Sequence, residues 1–323
     1  MRAIARHRWG SPELLALDEV DPPAIGDDEV LVSVRAASVN PYDWHRTTGT
    51  PYLVRIGSGL VTPRATALGA DLAGVVAATG RDVTAFRVGD EVFGMGDGAF
   101  AEQVAIRPDR LAPKPADLSF EEAAAVPLAG LTALQGLRDR GGIRPGQRVL
   151  INGAAGGVGT FAVQLAKAFG AEVTGVCGTG NVELVRGLGA DHVIDYTRAD
   201  FTRDGRTYDL ILDVAGNRSN AARRRALTPG GTLVLVGGPK RNRWTGPLGS
   251  LLRMLVAALF SSRTMVGMLA KHSHADLLML RDLLDSGQVR PVVERTYPLA
   301  ETANALRHVA GGHTRGKVVI TMA

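Results

Sequence analysis

Cysteine is almost missing from this chain. Cys177 is the single one in 323 residues, which excludes an internal disulfide and any multi-cysteine zinc site. Aromatic residues make up only 5% of the sequence, and nowhere do they interleave with basic residues in a stripe. A surface built for nucleic acid is therefore not expected. Neither sign of charge dominates: the formal net charge is +5 and the pI near 9.6. That modest arginine excess suits a solvated surface and also favours the approach of phosphate groups. Long apolar runs are lacking as well. The richest stretch, residues 248–260, is interrupted by Arg253, and it falls short of the roughly 20 residues that a membrane-spanning helix needs. Residues 1–8 lack the apolar core of a signal peptide, so a cytoplasmic location is the expectation.

What remains is the composition of an ordinary globular protein, with 45% hydrophobic and 21% charged residues. Its length suggests about two domains. The 40 glycines follow no collagen-like period and suit a fold with many tight turns. In the first 120 residues, short strand patterns at 29–36, 74–78 and 90–94 are broken by turns such as Asp21-Pro22-Pro23 and Val88-Gly89-Asp90. Closely spaced short strands predict a compact, largely antiparallel β domain. From Glu121 the pattern changes. Residues 120–127 and 131–139 read as helix, with Ser119 as a cap. Strands are then expected at 148–152, 172–177, 192–195, 208–213, 232–236 and 264–268, alternating with helices at 159–169, 182–188 and around 221–227. Apolar strands alternating with helices imply a parallel sheet covered on both faces. A helix at 277–285, an extended piece at 289–297, a helix at 300–308 and a last strand at 317–321 follow. That last strand is expected to join the N-terminal sheet.

Residues 149–170 carry the strongest signal. An apolar strand, Val149-Leu150-Ile151-Asn152, runs into Gly153-Ala154-Ala155-Gly156-Gly157-Val158-Gly159, and the turn opens an amphipathic helix. Free N–H groups and the positive end of a helix dipole then converge where a pyrophosphate binds. Small residues at 155–159 let phosphate reach the backbone and let the helix lie close to the strand. A dinucleotide is the expected cofactor, with Ala155, Gly156, Gly157, Val158 and Gly159 around its phosphates. NAD-binding folds usually place an acid at the end of the second strand, where it binds the ribose 2′-hydroxyl. Here that region reads Gly178-Thr179-Gly180-Asn181 with no acid, which favours NADP, as NADPH. The same turn offers no basic residue, so the positive charge for a 2′-phosphate has to come from elsewhere.

Several segments, in order, resemble the medium-chain dehydrogenase/reductase superfamily, and within it the zinc-free quinone oxidoreductase, zeta-crystallin-like branch. They are Asn40-Pro41-Tyr42-Asp43, Gly69-Ala70-Asp71-Leu72-Ala73-Gly74, Val88-Gly89-Asp90-Glu91-Val92, Gly130-Leu131-Thr132-Ala133, residues 154–159 and 188–196, and Arg315-Gly316-Lys317-Val318-Val319. The resemblance spans essentially the whole chain. It implies an α/β protein: a GroES-like β domain from residues 1–123 and 271–323, and a Rossmann-type doubly wound parallel-sheet domain at 124–270. Zinc-dependent relatives place a cysteine where this chain has Asn40 and a His-Glu pair where it has Ala70-Asp71. No metal is therefore expected. His272 and His274 read as surface residues rather than a metal pair.

The resemblance also supplies site residues. Asn40 and Asp43 line a substrate cleft, and Tyr52 lies on the loop that follows. Asn40 either orients a carbonyl or carboxamide or is a turn residue before Pro41. Tyr52 either donates a proton or hydrogen bond to the developing oxyanion or forms an aromatic wall. Asp43 either joins them or holds the loop. Thr132 and Asn217 are further candidates. Tyr196 packs on the adenosine ribose beside Gly178, and Arg198 and Arg315 are candidate phosphate partners. Gly237 and Gly238 meet the nicotinamide, and the basic loop at 240–247 either binds phosphate or is solvated. The expected partners are a quinone or α,β-unsaturated carbonyl and a second copy of the chain, paired through the edge strand near 264–268. Two alternatives stay open: an enoyl-thioester reductase of a biosynthetic pathway, and a non-catalytic NADPH-binding protein with structural or RNA-binding duties.

Overall fold

The computed structural model describes residues 1–56, 58–236 and 263–322. The chain starts with a hairpin of β1 (Arg2–Arg6) and β2 (Leu15–Glu19), and then a long strand β3 (Val30–Val39) leads into helix α1 (Pro41–Thr48). Strands β4 (Asp71–Thr79), β5 (Glu91–Met95), β6 (Gln103–Ile106) and β7 (Leu111–Pro113) follow. The pairs β3–β4, β4–β5, β5–β7 and β3–β6 are all antiparallel, as the closely spaced short strands predict. Helix α2 (Phe120–Ala124) starts at a capping box. The Ser119 hydroxyl accepts from the Glu122 N–H, and the Glu122 carboxylate accepts from the Ser119 N–H. The expected helix is divided here. Helix α3 (Pro127–Gln135) begins afresh at Pro127, whose missing N–H is harmless only in a first turn, and ends in a π-helical turn at Gly136–Arg140.

Strands β8 (Arg148–Asn152), β9 (Glu172–Cys177), β10 (His192–Asp195), β11 (Tyr208–Asp213), β12 (Leu227–Leu235) and β13 (Thr264–Gly267) form one sheet in the order β10-β9-β8-β11-β12-β13. Every pair in it is parallel. Helices α4 (Gly157–Ala168), α5 (Val182–Gly187) and α6 (Asn220–Arg225) connect the strands. Leu150, Val176, Ile194, Ile211, Leu233 and Met265, one from each strand, lie in a single buried cluster, the apolar core that a parallel sheet needs. Strand β12 begins five residues before the expected 232. Leu227 already pairs with Tyr208, and the register then shifts before Leu210 meets Thr232.

The chain then adds α7 (His274–Asp285), β14 (Val293–Pro298), α8 (Thr302–Gly311) and β15 (Lys317–Thr321). Strand β14 starts later than the expected extended piece, just beyond Pro291, which has no N–H to give a ladder. As expected, β15 returns to the N-terminal sheet. It pairs antiparallel with β3 and parallel with β14, giving the order β14-β15-β3-β4-β5-β7. Val30, Val32 and Val34 of β3, Leu72 and Val76 of β4, and Val318 and Ile320 of β15 share its core. Contacts divide the chain into two units. One comprises Met1–Leu131, His272–Gly287 and Pro291–Ala323, and the other Thr132–Lys271 with Gln288–Arg290. The first is the GroES-like β unit and the second the Rossmann-like parallel-sheet unit. Among the described residues no helix is long and apolar enough to cross a membrane.

Candidate functional site

In the parallel-sheet unit, β8 ends at Asn152 and the chain turns through Gly153, whose φ of +91° is left-handed territory that favours glycine. Helix α4 begins two residues before the expected 159, with Gly156 as its N-cap. The N–H groups of Gly157, Val158 and Gly159 form its first turn and so have no acceptor within the helix. A Cβ on Gly159 would lie 2.1 Å from the Gly153 carbonyl oxygen and 2.8 Å from Ala154 backbone atoms. No side chain fits there, because the helix presses directly on the turn. Gly156 is different: the nearest atom to a Cβ would be 3.5 Å away. The turn is thus tight on its inner side and open at its cap, and Ala154 and Ala155 are buried behind it. This backbone can seat an anionic diphosphate on N–H donors and a helix dipole.

Beside the turn, Asn152 donates to Asp213 Oδ1 at 2.8 Å and to Asn217 Oδ1 at 3.1 Å. Asp213 also accepts from the Gly216 N–H at 2.8 Å and pairs with the buried guanidinium of Arg223 at 2.5 Å. The Asn152–Asp213 bond ties the carboxyl ends of β8 and β11 together, and the buried Arg223 pair ties β11 to α6. Asn217 is thereby committed to Asn152, while Thr132, the other further candidate, is buried.

At the end of β9 Gly178 and Tyr196 lie against each other. A Cβ on Gly178 would lie 3.1 Å from the Tyr196 hydroxyl, so the ring lies over the bare glycine while the residue keeps 45% exposure. Sequence reading missed Asp195. Strand pairing sets it opposite Cys177, and its carboxylate accepts from the Thr179 hydroxyl at 2.6 Å and from the Thr197 N–H at 2.9 Å. Those two bonds, Thr179 first, hold its carboxyl below the usual range. Arg198 pairs with it at 3.5 Å, and its side chain is 78% exposed. The turn therefore contains an acid after all, contributed by the neighbouring strand. Arg315 is exposed and belongs to the β unit. Gly237 and Gly238, the basic loop at 240–247 and the apolar stretch at 248–260 lie outside the described residues. Cys177 is buried, which pushes its thiol up to about 11 and leaves it inert at neutral pH.

In the β unit, Asn40 and Asp43 are buried, at the first turn of α1. The Asn40 amide is fully engaged. Its Nδ2 donates to the Ser38 carbonyl at 3.3 Å and to Asp71 Oδ2 at 2.9 Å, and its Oδ1 accepts from the Lys317 ammonium at 2.5 Å. Asp71 is saturated: Oδ2 also accepts from the Ser38 hydroxyl at 2.8 Å, and Oδ1 accepts from the Leu128 N–H in the first turn of α3 at 3.0 Å. Asp43 Oδ2 accepts from the Asn40 N–H at 2.8 Å, while Oδ1 has no partner. Burial pushes the Asp43 carboxyl up to about 7, and the nearby Asp71 charge adds to the effect. Burial lowers the Lys317 ammonium, against the pull of Asp71 and Asp43. Sequence reading named neither Asp71 nor Lys317 as a site residue. The available signal was a charged residue at an inward position of an apolar strand, in Lys317-Val318-Val319-Ile320 and in Asp71-Leu72-Ala73.

Tyr52 falls in a different group. It is half-buried, with the Arg55 guanidinium 4.9 Å from its ring centroid. Arg55 and Arg6 both lie over the Trp9 ring, at 5.5 and 4.2 Å. His272 is half-buried, its Nε2 within 2.7 Å of the Asp109 carbonyl, and His274 is exposed. Among the described residues no three His, Cys, Asp or Glu side chains gather as a metal site would require.

Residues 26–116 match the alcohol dehydrogenase GroES-like domain, and residues 188–320 match the zinc-binding dehydrogenase family. The chain is 35% identical to a 2-methylene-furan-3-one reductase of Solanum lycopersicum over 99% of its own length and 79% of that protein. The solved quinone oxidoreductase of Coxiella burnetii shares 31% identity with a TM-score of 0.87, covering 100% of this chain and 99% of that one. The Escherichia coli quinone oxidoreductase solved with NADPH shares 27% identity with a TM-score of 0.83, covering 99% of this chain and 100% of that one. The second family's name implies zinc, and the residues here do not fit it. Asn40 and Asp71 turn their oxygens to an ammonium that is already in place.

Proposed function

The chain belongs to the medium-chain dehydrogenase/reductase superfamily, in its quinone-oxidoreductase branch, and from that premise we propose that it is an NADPH-dependent, zinc-independent reductase of quinones or α,β-unsaturated carbonyls. That it is an NAD(P)H oxidoreductase follows from its relatives. The observation that carries the dinucleotide part of this reading is the α4 turn, closed on its inner side by Gly159 and open at Gly156. Held on the first-turn N–H groups of Gly157, Val158 and Gly159, the cofactor would supply a hydride for an electron-poor acceptor. The residues' own part is to orient the reactants and to neutralise charge.

The choice of NADPH rests on Arg198. It is largely exposed, two residues beyond Tyr196, and a 2′-phosphate bound there would accept from it. Asp195 works against it, but its charge is already engaged by Thr179, Thr197 and Arg198. Tyr52, set against Arg55, forms an aromatic wall or a hydrogen-bond donor for the acceptor. Asn40 and Asp43 act from a buried position, as supports of the loop that carries Tyr52. We place the protein in the cytoplasm, as a homodimer paired through the edge of β13.

The test is oxidation of NADPH and NADH, followed at 340 nm, against a panel of quinones, enones and a crotonyl thioester. Turnover of quinones or enones with a lower KM for NADPH supports the proposal. Turnover of the thioester alone makes the chain an enoyl-thioester reductase. No turnover, together with salt-sensitive RNA binding, makes it a binding protein, and equal KM values remove the NADPH preference.

A further inference from the structure

The strand order β10-β9-β8-β11-β12-β13 reverses its direction of growth between β8 and β11. In a doubly wound parallel sheet, the crevice at that reversal, outside the carboxyl ends of the strands, is where a dinucleotide lies. Asn152 ends β8 and Asp213 ends β11, and the register sets them opposite each other. The chain beyond Asp213 is fastened to the glycine turn. The Asn152 carbonyl accepts from the Val214 and Ala215 N–H groups at 3.0 and 3.2 Å, and a Cβ on Gly153 would lie 3.4 Å from Ala215. Asp213 Oδ1 accepts from the Asn152 amide and from the Gly216 N–H, both at 2.8 Å, where Gly216 takes a left-handed φ of +64°. Asp213 thus shapes this end of the crevice, and it does so with a carboxylate at 0% exposure.

A buried negative charge is poorly screened, and here it opposes the positive potential that the first turn of α4 offers to phosphates. Arg223 answers it. Its Nε lies 2.5 Å from Asp213 Oδ2, with the two side chains 5% and 0% exposed. Neither of these atoms makes a hydrogen bond, so charge is what joins them. Resting on the dinucleotide part of the proposed function, we propose that the buried Arg223 is a determinant of dinucleotide affinity: it cancels the Asp213 charge, so that this side chain holds the crevice in shape without repelling the diphosphate. Asp213 is then needed for the two hydrogen bonds its Oδ1 accepts, and an amide oxygen would accept the same two. The halves of the pair therefore act on a bound diphosphate with opposite sign. Loss of Arg223 leaves a negative charge behind the turn, whereas Asp213→Asn leaves a positive one. A pair that served only to hold α6 to the sheet would respond alike to both losses.

The full chain and its R223M, D213N and D213N/R223M variants are compared at pH 8, with Kd for NADPH from isothermal titration and Tm from scanning calorimetry. Each single variant leaves one buried charge unpaired and is expected to lose several degrees of Tm. R223M should bind NADPH about tenfold more weakly, D213N no more weakly than the unsubstituted chain, and the double variant within about threefold of it. A D213N protein that loses affinity alongside R223M overturns the proposal, because affinity then follows stability rather than charge. So does an R223M protein that melts cooperatively and binds NADPH as tightly as the unsubstituted chain. If R223M does not melt cooperatively, R223Q takes its place, with the same two outcomes. An unsubstituted chain that binds neither NADPH nor NADH overturns the dinucleotide reading itself, which keeps the two failures apart.

Discussion

The glycine turn of the parallel-sheet unit and the buried polar cluster of the β unit handle charge in opposite ways. The turn is built from backbone. Its positive potential comes from N–H groups and a helix dipole, and its side chains are small so that the main chain can approach. The cluster is built from side chains drawn from β3, α1, β4 and β15, with full charges taken out of water. A backbone site tolerates almost any chemistry nearby but no change of volume at its inner glycine. A side-chain site tolerates changes of shape but not of charge balance.

The sharpest break of this contrast is Gly159→Val. With a Cβ forced to within 2.1 Å of a carbonyl oxygen, α4 has to shift. Affinity for NADPH, read by quenching of protein fluorescence, is expected to fall by about 100-fold or more. Gly156→Ala, where the nearest atom is 3.5 Å away, should change folding stability little, so the pair separates volume from glycine identity.

Asp71→Asn comes next. It leaves the Lys317 ammonium buried with a neutral partner and is expected to cost about 3 kcal/mol in denaturant unfolding, with little effect on the turn's dinucleotide affinity. Loss of NADPH binding at unchanged stability would contradict the division of labour drawn above.

Asp43→Asn tests charge balance through pH. The carboxyl rises from an ordinary value of 3.8 to about 7 in the fold. Between about pH 4 and 7 the folded chain therefore holds a proton that the unfolded chain has released. Stability accordingly falls as pH rises through this window, and the loss is complete above it. The asparagine variant lacks this titration. Its Tm relative to the unsubstituted chain should thus be higher at pH 8 than at pH 5, by an amount worth at most about 3 kcal/mol. A difference in Tm that is flat with pH would show that Asp43 does not titrate there.

The smallest effect is expected at the surface. Arg198→Ala should raise the KM for NADPH about fivefold and leave that for NADH within twofold, since an exposed charge–phosphate contact contributes roughly 1 kcal/mol. Asp195→Asn should move the ratio the other way.

The same contrast explains what was legible beforehand. The turn is local: strand, glycines and helix occupy consecutive positions, so period and residue type reveal it, together with the parallel strands around it. Ser119 was readable as a cap because its partner Glu122 is three residues away. The cluster joins positions 40, 71 and 317, and no local pattern links them. Asn40 and Asp43 were picked from a resemblance, but their partners depend on the register of β15 against β3. Asp195 was missed because the acid was sought in the turn after β9, whereas the adjacent strand β10 provides it. The split between α2 and α3 was missed because helical periodicity continues across Pro127, and proline makes a first turn as readily as it ends a helix.

The return of β15 to the side of β3 has a consequence during synthesis. The ribosome releases nearly all of the parallel-sheet unit, residues 132–271, before the strand that completes the β sheet exists. Strand β3 must wait for a neighbour encoded some 280 residues later, and Asp71 waits with it, without its ammonium. Such long-range closure slows folding and prolongs the exposure of unpaired edges. The sheet that opens the chain is thus finished by the chain's end.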